Sequence, residues 1–334
     1  MVCQTAQQAT PNLTIAGSRH GDVPRSGPDA PAFWARHFDI SRNGSKLDRP
    51  RRGPDQRGKS ASMILEDQYF LGYRSAEHER LREQAEDFQS EAAWLFDQVG
   101  PLDGKTVVEL GVGPRGCLDE LSRRVGPDGT VIGVEREAES VELARKFVVD
   151  RTLDNVDVRH GDARATGLPG NSFDLVTERL ILHNVPRPEE IVAEAVRLAR
   201  PGGWVAFHEG DRVGQVCDPP AESWTRLMDV LKQYADRNTI DLFVGRRLPG
   251  LLRRAGLVDV QVRPVVYIDH EPGHPRRVVL ADFAENLRDR LIASELITRE
   301  EFDDLHAALR RHLVDPGTTV ISHLYVQAWG RKPE

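Results

Sequence analysis

The sequence predicts an α/β protein built on a doubly wound, seven-stranded sheet with an α-helical insertion between its last two strands. Short apolar segments alternate with amphipathic helical segments from residue 105 to 209, the pattern of a mostly parallel sheet covered on both faces. The stretch "VVELGVGPRG", residues 107–116, is typical of a strand that enters a glycine-rich turn. An acid, Glu135, ends the second apolar strand about twenty residues later.

The first half of the chain gives these elements in order. An amphipathic helix from Ser75 precedes the sheet, because apolar residues recur at helical spacing up to Leu95 and Gly100 follows them. Strands are predicted at 105–110, 130–135, 155–160, 173–178 and 203–209. Helices are predicted between them at 116–125, 138–149 and 188–199. The connection before the fourth strand has room for only a short helix.

Beyond Gly210 the alternation loosens. Helices are predicted near 220–236 and 246–255, followed by the last two strands near 258–268 and in "TTVISHLYVQAWGRK". About fifty residues separate these two strands, and they contain two helical patterns with apolar stripes. A connection that long is rarely idle, so we expect the insertion, residues 270–317, to pack over the pocket at the carboxyl ends of the strands as a lid or to form a dimer contact.

Charge divides the chain into two parts. Residues 1–62 hold ten Lys and Arg against five Asp and Glu, whereas the remaining residues have a net charge of −12. The first part lacks sustained apolar periodicity and is predicted to be a disordered basic tail, and residues 63–334 are predicted to form the folded domain. An acidic domain is a poor partner for a polyanion, which argues against nucleic acid as the substrate.

Composition narrows the class of protein further. No apolar run approaches the roughly 20 residues that cross a bilayer, and the first residues lack a secretory signal pattern, so the sequence predicts a cytoplasmic protein with no membrane partner. The three cysteines are too few and too scattered for a disulfide framework. We expect no metal, because the nearest grouping, "DHEPGH", lacks convincing ligand spacing.

The glycine turn does not identify which nucleotide cofactor the protein binds. Gly111, Gly113 and Gly116 let backbone N–H groups approach a ligand, and Glu135 is placed to accept hydrogen bonds from ribose hydroxyls, as in both NAD enzymes and methyltransferases. Glu109 favours the second class, because a carboxylate there suits a methionine-type ammonium group and would repel a pyrophosphate.

Motifs along the chain resemble those of the class I S-adenosylmethionine-dependent methyltransferases. "VVELGVGPRG" resembles the first motif, "GVERE" the segment with the ribose-binding acid, "GDA" the adenine motif, "FDLVTERLILHNV" the fourth strand and "ARPGGWVAFHE" the fifth. The sequence departs from the commonest first motif at Arg115, where the third glycine is displaced to Gly116. No Asn-Pro-Pro-Tyr motif is present.

This resemblance implies S-adenosyl-L-methionine as the cofactor and a small-molecule acceptor, of the kind found in quinone or secondary metabolism. The implied cofactor half spans residues 100–210. The residues implied to bind the cofactor are Glu109, Gly111, Gly113, Gly116, Glu135, Arg136, Asp162 and Ala163.

Candidate catalytic residues follow the fourth and fifth strands, where methyl transfer requires alignment and, for an acidic nucleophile, removal of a proton. They are His183, Glu178 and Glu209. His183 suits a general base, although it also suits a purely structural bond at a helix entrance. Glu178 is open between substrate contact and an ion pair with a basic neighbour such as Arg179. Glu209 is open between orienting a substrate and transferring a proton.

Two alternatives to methyl transfer stay open. A methyltransferase fold is compatible with a cyclase or a partner subunit that holds the cofactor without transferring its methyl group, because a fold does not fix a function. An NAD-dependent oxidoreductase would share the glycines and leave Glu109 and "GDA" without a role. The sequence does not identify the acceptor, the methylated element or the oligomeric state.

Overall fold

A computed structural model describes residues 75–334, so the predicted basic tail, 1–62, and residues 63–74 lie outside the described part. The strands in chain order are β1 Thr106–Leu110, β2 Thr130–Glu135, β3 Val156–His160, β4 Phe173–Arg179, β5 Ala199–Asp211, β6 Val216–Asp218, β7 Val258–Val265, β8 Ile268–Asp269, β9 Thr319–Ile321 and β10 Leu324–Arg331. The α-helices are α1 Ser75–Asp87, α2 Gln89–Gln98, α3 Leu118–Val125, α4 Ala138–Asp150, α5 Pro188–Leu198, α6 Glu222–Arg237, α7 Val244–Arg254, α8 Val279–Ala293 and α9 Arg299–Val314.

Seven strands form the central sheet in the order β3-β2-β1-β4-β5-β10-β7. The first five strands are parallel, and β10 is antiparallel to both β5 and β7. The predicted doubly wound, seven-stranded α/β sheet is therefore confirmed. Because β1 and β4 are neighbours at the point where the strand order reverses, the glycine turn after β1 and the residues after β4 open on the same crevice.

The central strands are buried because helices cover both faces of the sheet. Val107, Val108 and Leu110 of β1 are fully buried between two separate apolar clusters, one with α2, α3 and α4, the other with α5 and α7. This double burial explains why the strands read as continuous apolar runs and not as alternating patterns. No helix in residues 75–334 is long and apolar enough to cross a membrane.

Four predicted boundaries are wrong, and one of them is the strand near 258–268, which divides into β7 of the central sheet and β8 of a small second sheet. The helix predicted from Ser75 is interrupted at Phe88, which separates α1 from α2. Strand β5 begins at Ala199, four residues before the predicted start. The predicted last strand is two strands, because β9 pairs with β6 and β8 in that small second sheet whereas β10 joins the central sheet. Ser322 lies at the break, where its backbone N–H donates to the Tyr267 carbonyl at 2.9 Å.

The insertion between the last two strands of the central sheet is helical, as predicted, but it does not form a core by itself. Helices α8 and α9 share one apolar cluster with α6, which precedes them by more than forty residues in the chain. Phe302 and Leu309 of α9 and Leu287 of α8 are fully buried against α6 residues such as Leu227. We call α6, α8 and α9 the cap. Deletion of α8 and α9 would expose the apolar face of α6, so such a variant does not test the insertion alone.

Candidate functional site

A cleft of about 1070 Å³, open to solvent, lies at the carboxyl ends of β1, β2 and β4. All eight residues that the sequence implied for cofactor binding line this cleft: Glu109, Gly111, Gly113, Gly116, Glu135, Arg136, Asp162 and Ala163. Strand register brings them together, because β1 pairs in parallel with both β2 and β4 and each segment leaves the sheet at the same edge. Of the three catalytic candidates, only His183 lines the cleft.

A side chain is excluded at the three glycines for different structural reasons. All have positive φ, 69° at Gly111, 55° at Gly113 and 57° at Gly116. A Cβ at Gly111 would lie 2.6 Å from Ile181 Cγ2, and one at Gly116 would lie 2.7 Å from Glu109 Oε2. At Gly113 the nearest atom is 3.9 Å away, so that position leaves open space in the cleft. Gly113 is therefore the glycine whose missing side chain makes room for a ligand.

Arg115, the departure from the commonest first motif, is part of the turn's support. Its guanidinium is buried and contacts Glu86 at 2.7 Å and Asp119 at 3.1 Å. The displaced glycine, Gly116, keeps the positive φ that the end of the turn requires. Arg115 thus connects the turn to α1 and α3, and Gly116 preserves the backbone conformation at the end of the turn.

Glu135 is held at the edge of the cleft by three backbone N–H groups. Its Oε2 accepts from Gly113 at 2.9 Å, and its Oε1 accepts from Arg136 and from Glu137, both at 2.8 Å. Burial raises the pKa of Glu135, and the three backbone hydrogen bonds oppose that rise. A carboxylate oxygen has more than one lone pair, so Glu135 is fixed in place and can still accept from ligand hydroxyls. This geometry fits the predicted ribose contact.

Glu109 caps the N-terminus of α3. Both of its oxygens lie 2.9 Å from the Cys117 N–H, and the carboxylate is buried. The N-terminus of the helix after the first strand is the site where a dinucleotide pyrophosphate binds in sheets of this type. A carboxylate already occupies that position in this chain and would repel a second anion. This arrangement disfavours NAD and is compatible with a ligand that presents a cation.

The ionisation of Glu109 gives a prediction for cofactor binding. Burial raises its pKa to about 7, although Arg179 and the Cys117 hydrogen bonds oppose the rise. A ligand ammonium placed beside it favours the carboxylate and lowers that pKa. Binding then releases a proton below pH 7, and we expect the affinity for S-adenosylhomocysteine to increase by up to about tenfold per pH unit as the pH rises towards 7, and to flatten above it.

Calorimetry between pH 5.5 and 7.5, in two buffers of different ionisation enthalpy, measures both the affinity and the released proton. Glu109→Gln keeps the shape of the side chain and removes its ionisation, so this variant should lose most of the slope. An equal slope in wild type and variant would show that another group carries the proton, for example Glu135, whose pKa is also raised by burial.

Asp162 and Ala163 follow β3 and line the cleft. The Asp162 carboxylate is paired with Arg164, with Arg164 Nη2 2.6 Å from Oδ2 and Nε 3.0 Å from Oδ1. The hydrogen bond from Arg164 holds the pKa of Asp162 below its usual value despite partial burial. No pattern in the sequence indicated that Arg164 pairs with Asp162. Arg164 also lines the cleft, so the pair forms the wall where the resemblance places the adenine.

His183 and Glu209 form a buried pair at the inner end of the cleft. His183 follows β4, Glu209 lies near the end of β5, and His183 Nδ1 is 2.6 Å from Glu209 Oε2. The Nε2 atom of His183 is 2.9 Å from Arg212 Nη2 and 3.1 Å from Asn184 Nδ2. A guanidinium only donates, so Nε2 accepts and the proton is on Nδ1, which donates to Glu209. Burial lowers the pKa of His183, Arg212 lowers it further and Glu209 opposes both, so the ring is neutral.

Glu178 is neutral and Glu209 is ionised. Burial raises the pKa of Glu178 well above its ordinary value, and the adjacent Glu209 carboxylate raises it further. Burial alone would also raise the pKa of Glu209, but His183, the Glu178 carboxyl and the Leu182 N–H at 2.5 Å hold it below its usual value. Two carboxyls that share a buried site cannot both ionise. Glu178 thus lies behind Glu209, and its other hydrogen bond is from the Ile181 N–H at 3.3 Å.

His208, Asp211, His160 and His323 do not line the cleft. His208 packs edge-to-face against Phe88 and Tyr325 in the core. Asp211 pairs with Arg246 of α7, and His160 is exposed at the end of β3. His323 lies in the break before β10, and its ring contacts that of Tyr325 at 4.1 Å between centroids.

The sequence analysis identified Arg136 but missed three more basic residues of the cleft in addition to Arg164. Arg179 ends β4 with its Nη2 3.3 Å from the Gly116 carbonyl, Arg212 follows β5, and Arg80 reaches the cleft from α1. The sequence could have indicated two of them. Arg179 and Arg212 lie at the carboxyl ends of neighbouring parallel strands, close to the candidate residues Glu178 and Glu209. Arg80 gave no such signal, since its approach depends on how α1 packs.

Comparison with known proteins agrees with this geometry. A family model described as a methyltransferase domain matches residues 108–207. The chain is 28% identical to a demethylmenaquinone methyltransferase of Halalkalibacterium halodurans, over 53% of this chain and 78% of that protein. It is 32% identical to the nocamycin O-methyltransferase of Saccharothrix syringae, over 42% of this chain and 48% of that protein. In the matches at or above 30% identity the alignment covers about half the length of the relative.

Among solved structures, the chain resembles a SAM-dependent methyltransferase from Aquifex aeolicus. The two share 21% sequence identity with a TM-score of 0.43, over 56% of this chain and 91% of that one.

Proposed function

We propose that the chain is a class I S-adenosylmethionine-dependent methyltransferase that methylates a small organic acceptor with His183 as the general base. One observation carries the proposal. His183 is a neutral, buried base held by Glu209 at 2.6 Å, and it lines the same cleft as the glycine turn and Glu135. A neutral base beside the cofactor cleft suits an acceptor that must lose a proton before it attacks a methyl group.

The cleft residues fit the cofactor by their donor and acceptor chemistry. Glu135 would accept hydrogen bonds from the ribose hydroxyls, Glu109 would face the ammonium group, and the wall formed by Asp162 and Arg164 would contact the adenine. S-adenosylmethionine supplies a methyl group on a sulfonium, which leaves as a neutral thioether. The protein therefore needs chiefly to align the acceptor and remove its proton.

We propose that Glu209 makes His183 an effective base. When His183 accepts a proton on Nε2, the imidazolium lies against an ionised carboxylate in a site without bulk water, which stabilises the charged ring. Glu178 acts through Glu209 by donating a hydrogen bond to it, so Glu178 is a positioning residue. This division of roles follows from which of the two carboxyls is ionised.

We propose that the cap is the lid of the acceptor side. Phe283 of α8 stacks on Arg212, which lines the cleft, at 4.2 Å from Cζ to the ring centroid. Asn286 of the same helix donates to Glu77 at 2.7 Å, and Glu77 is paired with Arg80, which also lines the cleft. Helix α8 thus contacts one cleft residue, Arg212, directly and a second, Arg80, through Glu77. The alternative, a dimer contact through α8 and α9, requires a dimer, and sedimentation velocity of the full chain at micromolar concentration tests for it.

The experiment that tests the methyltransferase activity uses the full chain with isotopically labelled S-adenosylmethionine and a panel of phenols, enols and amines. Formation of S-adenosylhomocysteine together with a labelled product is the expected result. Binding of S-adenosylhomocysteine without turnover on any acceptor would favour the cyclase or partner-subunit alternative. Binding of NAD without a response to S-adenosylhomocysteine would contradict the family's cofactor.

A further inference from the structure

Arg212 lies between the proposed base and the cap. It is the residue immediately after β5, and its Nη2 is 2.9 Å from His183 Nε2. Its guanidinium also lies over the Phe283 ring, at 4.2 Å from Cζ to the centroid. Arg212 lines the cofactor cleft and also a small cavity under the cap, and it is the residue that the two spaces share. An acceptor held between cofactor and cap therefore has to meet this side chain.

Arg212 donates a hydrogen bond to His183 Nε2, and this bond occupies the lone pair with which His183 would accept a proton. As long as Arg212 donates to Nε2, that nitrogen is engaged, and the adjacent cation makes protonation of His183 less favourable. An acceptor oxygen that enters between the two side chains changes both conditions. Its O–H can donate to Nε2, and its lone pairs can accept from the guanidinium that previously donated to His183.

On the basis of the function proposed above, we propose that Arg212 binds the acceptor as an oxyanion, so that the acceptor is a phenol or enol carried on an apolar ring. The O–H bond breaks, its proton goes to His183 Nε2, and the electron pair stays on the oxygen beside Arg212. That oxygen, or a carbon conjugated with it, forms the new bond to the methyl group. The S–CH₃ bond breaks, and its electrons stay on the sulfur of the leaving thioether.

The charges in the site balance during this step. Before proton transfer the site holds Glu209⁻ and Arg212⁺, with His183 and Glu178 neutral. After it, the imidazolium is paired with Glu209 and the oxyanion with Arg212, so each new charge lies beside an opposite one. An ammonium or protonated amine would instead lie against the guanidinium. Arg212 therefore selects against cationic acceptors.

The cavity on the cap side of Arg212 indicates the rest of the acceptor. Its lining is mostly apolar and comes from the segment after β5, from α6, from the segment before α7 and from α8: Gln215, Met228, Leu231, Leu242, Val279, Leu280 and Phe283. Methionine and leucine side chains repack readily around flat hydrocarbon groups. An apolar ring attached to the ionisable hydroxyl would contact this wall when the cap moves to admit it.

The experiment uses 4-nitrophenol as the probe, because the absorption spectrum of this phenol reports its ionisation. The full chain is saturated with S-adenosylhomocysteine, and the probe is titrated at a pH below the pKa of the free phenol. We expect the bound probe to show a ratio of phenolate to phenol at least about tenfold higher than in buffer, because an adjacent opposite charge lowers an acid's pKa by about one unit or more.

Three variants separate anion binding from support of the cap. Arg212→Gln should return the ratio to its value in buffer, and Arg212→Lys, which keeps the charge, should retain part of the increase. Arg247→Gln is a matched control, because Arg247 is a half-exposed arginine that pairs with Asp241 outside the cleft. It should behave as the wild type. If Arg212 only holds the cap through Phe283, the Gln and Lys variants should have the same effect on the spectrum.

Two outcomes overturn the inference. One is a wild-type protein that binds the probe only in its neutral form or does not bind it, and the other is an Arg212→Gln spectrum equal to that of the wild type. Calorimetry with S-adenosylhomocysteine on the same samples keeps the two proposals distinct. If that ligand binds and the phenolate signal is absent, only the role of Arg212 is wrong, whereas failure of that ligand to bind contradicts the proposed function itself.

Discussion

Replacing His183 by Ala should lower kcat by about 10²–10⁴, the usual contribution of a positioned general base. The affinity for S-adenosylhomocysteine should change little, because the proposed ribose and ammonium contacts are those of Glu135 and Glu109. The assay is S-adenosylhomocysteine formation with an acceptor found in the labelled screen, with calorimetry on the same variant. A loss of turnover matched by an equal loss of cofactor affinity would show that His183 shapes the cleft and does not act as the base.

Two further substitutions test which buried carboxyl carries the charge. Glu209→Gln removes the charge that stabilises the imidazolium, so it should lose most of the rate that His183→Ala loses. Glu178→Gln replaces a neutral carboxyl by a neutral amide of the same shape and should lose much less. Equal losses in the two Gln variants would contradict the assignment of Glu178 as neutral and Glu209 as ionised.

The pH dependence of the rate is an independent test of His183 as the general base. Burial lowers the pKa of His183 below its ordinary value of 6.5, so the ring stays neutral and able to accept a proton at lower pH than a free histidine. With S-adenosylmethionine saturating, so that the ionisation of Glu109 does not enter the profile, the acid limb of kcat/KM for the acceptor should therefore lie below pH 6.5. A limb above this value would indicate that another group is the base.

Replacing Glu135 by Ala should weaken S-adenosylhomocysteine binding by about 1.5–3 kcal/mol, the scale of hydrogen bonds to a charged group. This corresponds to roughly ten- to over a hundredfold in Kd. The structure favours the upper part of that range, because the substitution also removes the acceptor for the Gly113, Arg136 and Glu137 N–H groups and so loosens the turn. Calorimetry measures the affinity, and thermal unfolding measures the cost to stability.

Glu137→Ala is the matched control for that experiment. Glu137 is the same residue type two positions later, and its carboxylate accepts from the N–H groups of Glu139 and Ser140 at the start of α4. Its loss removes a helix cap and should cost about 1 kcal/mol of stability. Because Glu137 does not line the cleft, its substitution should leave the affinity nearly unchanged. If both variants lose affinity equally, Glu135 supports the turn and makes no decisive contact with the ligand.

The sequence by itself determined the sheet, the cleft and the residues on its wall. The existence and order of the first five strands and the positions of Glu109, Gly113, Glu135 and Asp162 could be predicted because they depend on local patterns, namely apolar runs, turn glycines and acids at strand ends. In a parallel sheet the carboxyl ends share one edge, so correct strands are sufficient to bring those residues together.

Only the tertiary structure decided the chemistry within the cleft. The sequence left Glu178 and Glu209 equivalent, and the difference in their ionisation comes from burial and from the partners that β4 and β5 bring within hydrogen-bond distance. The contacts of Arg212 with His183 and of Phe283 with Arg212 join residues 29 and 71 positions apart. No periodic pattern specifies such pairs, because they arise when separate elements pack, and packing depends on the shape of the whole core.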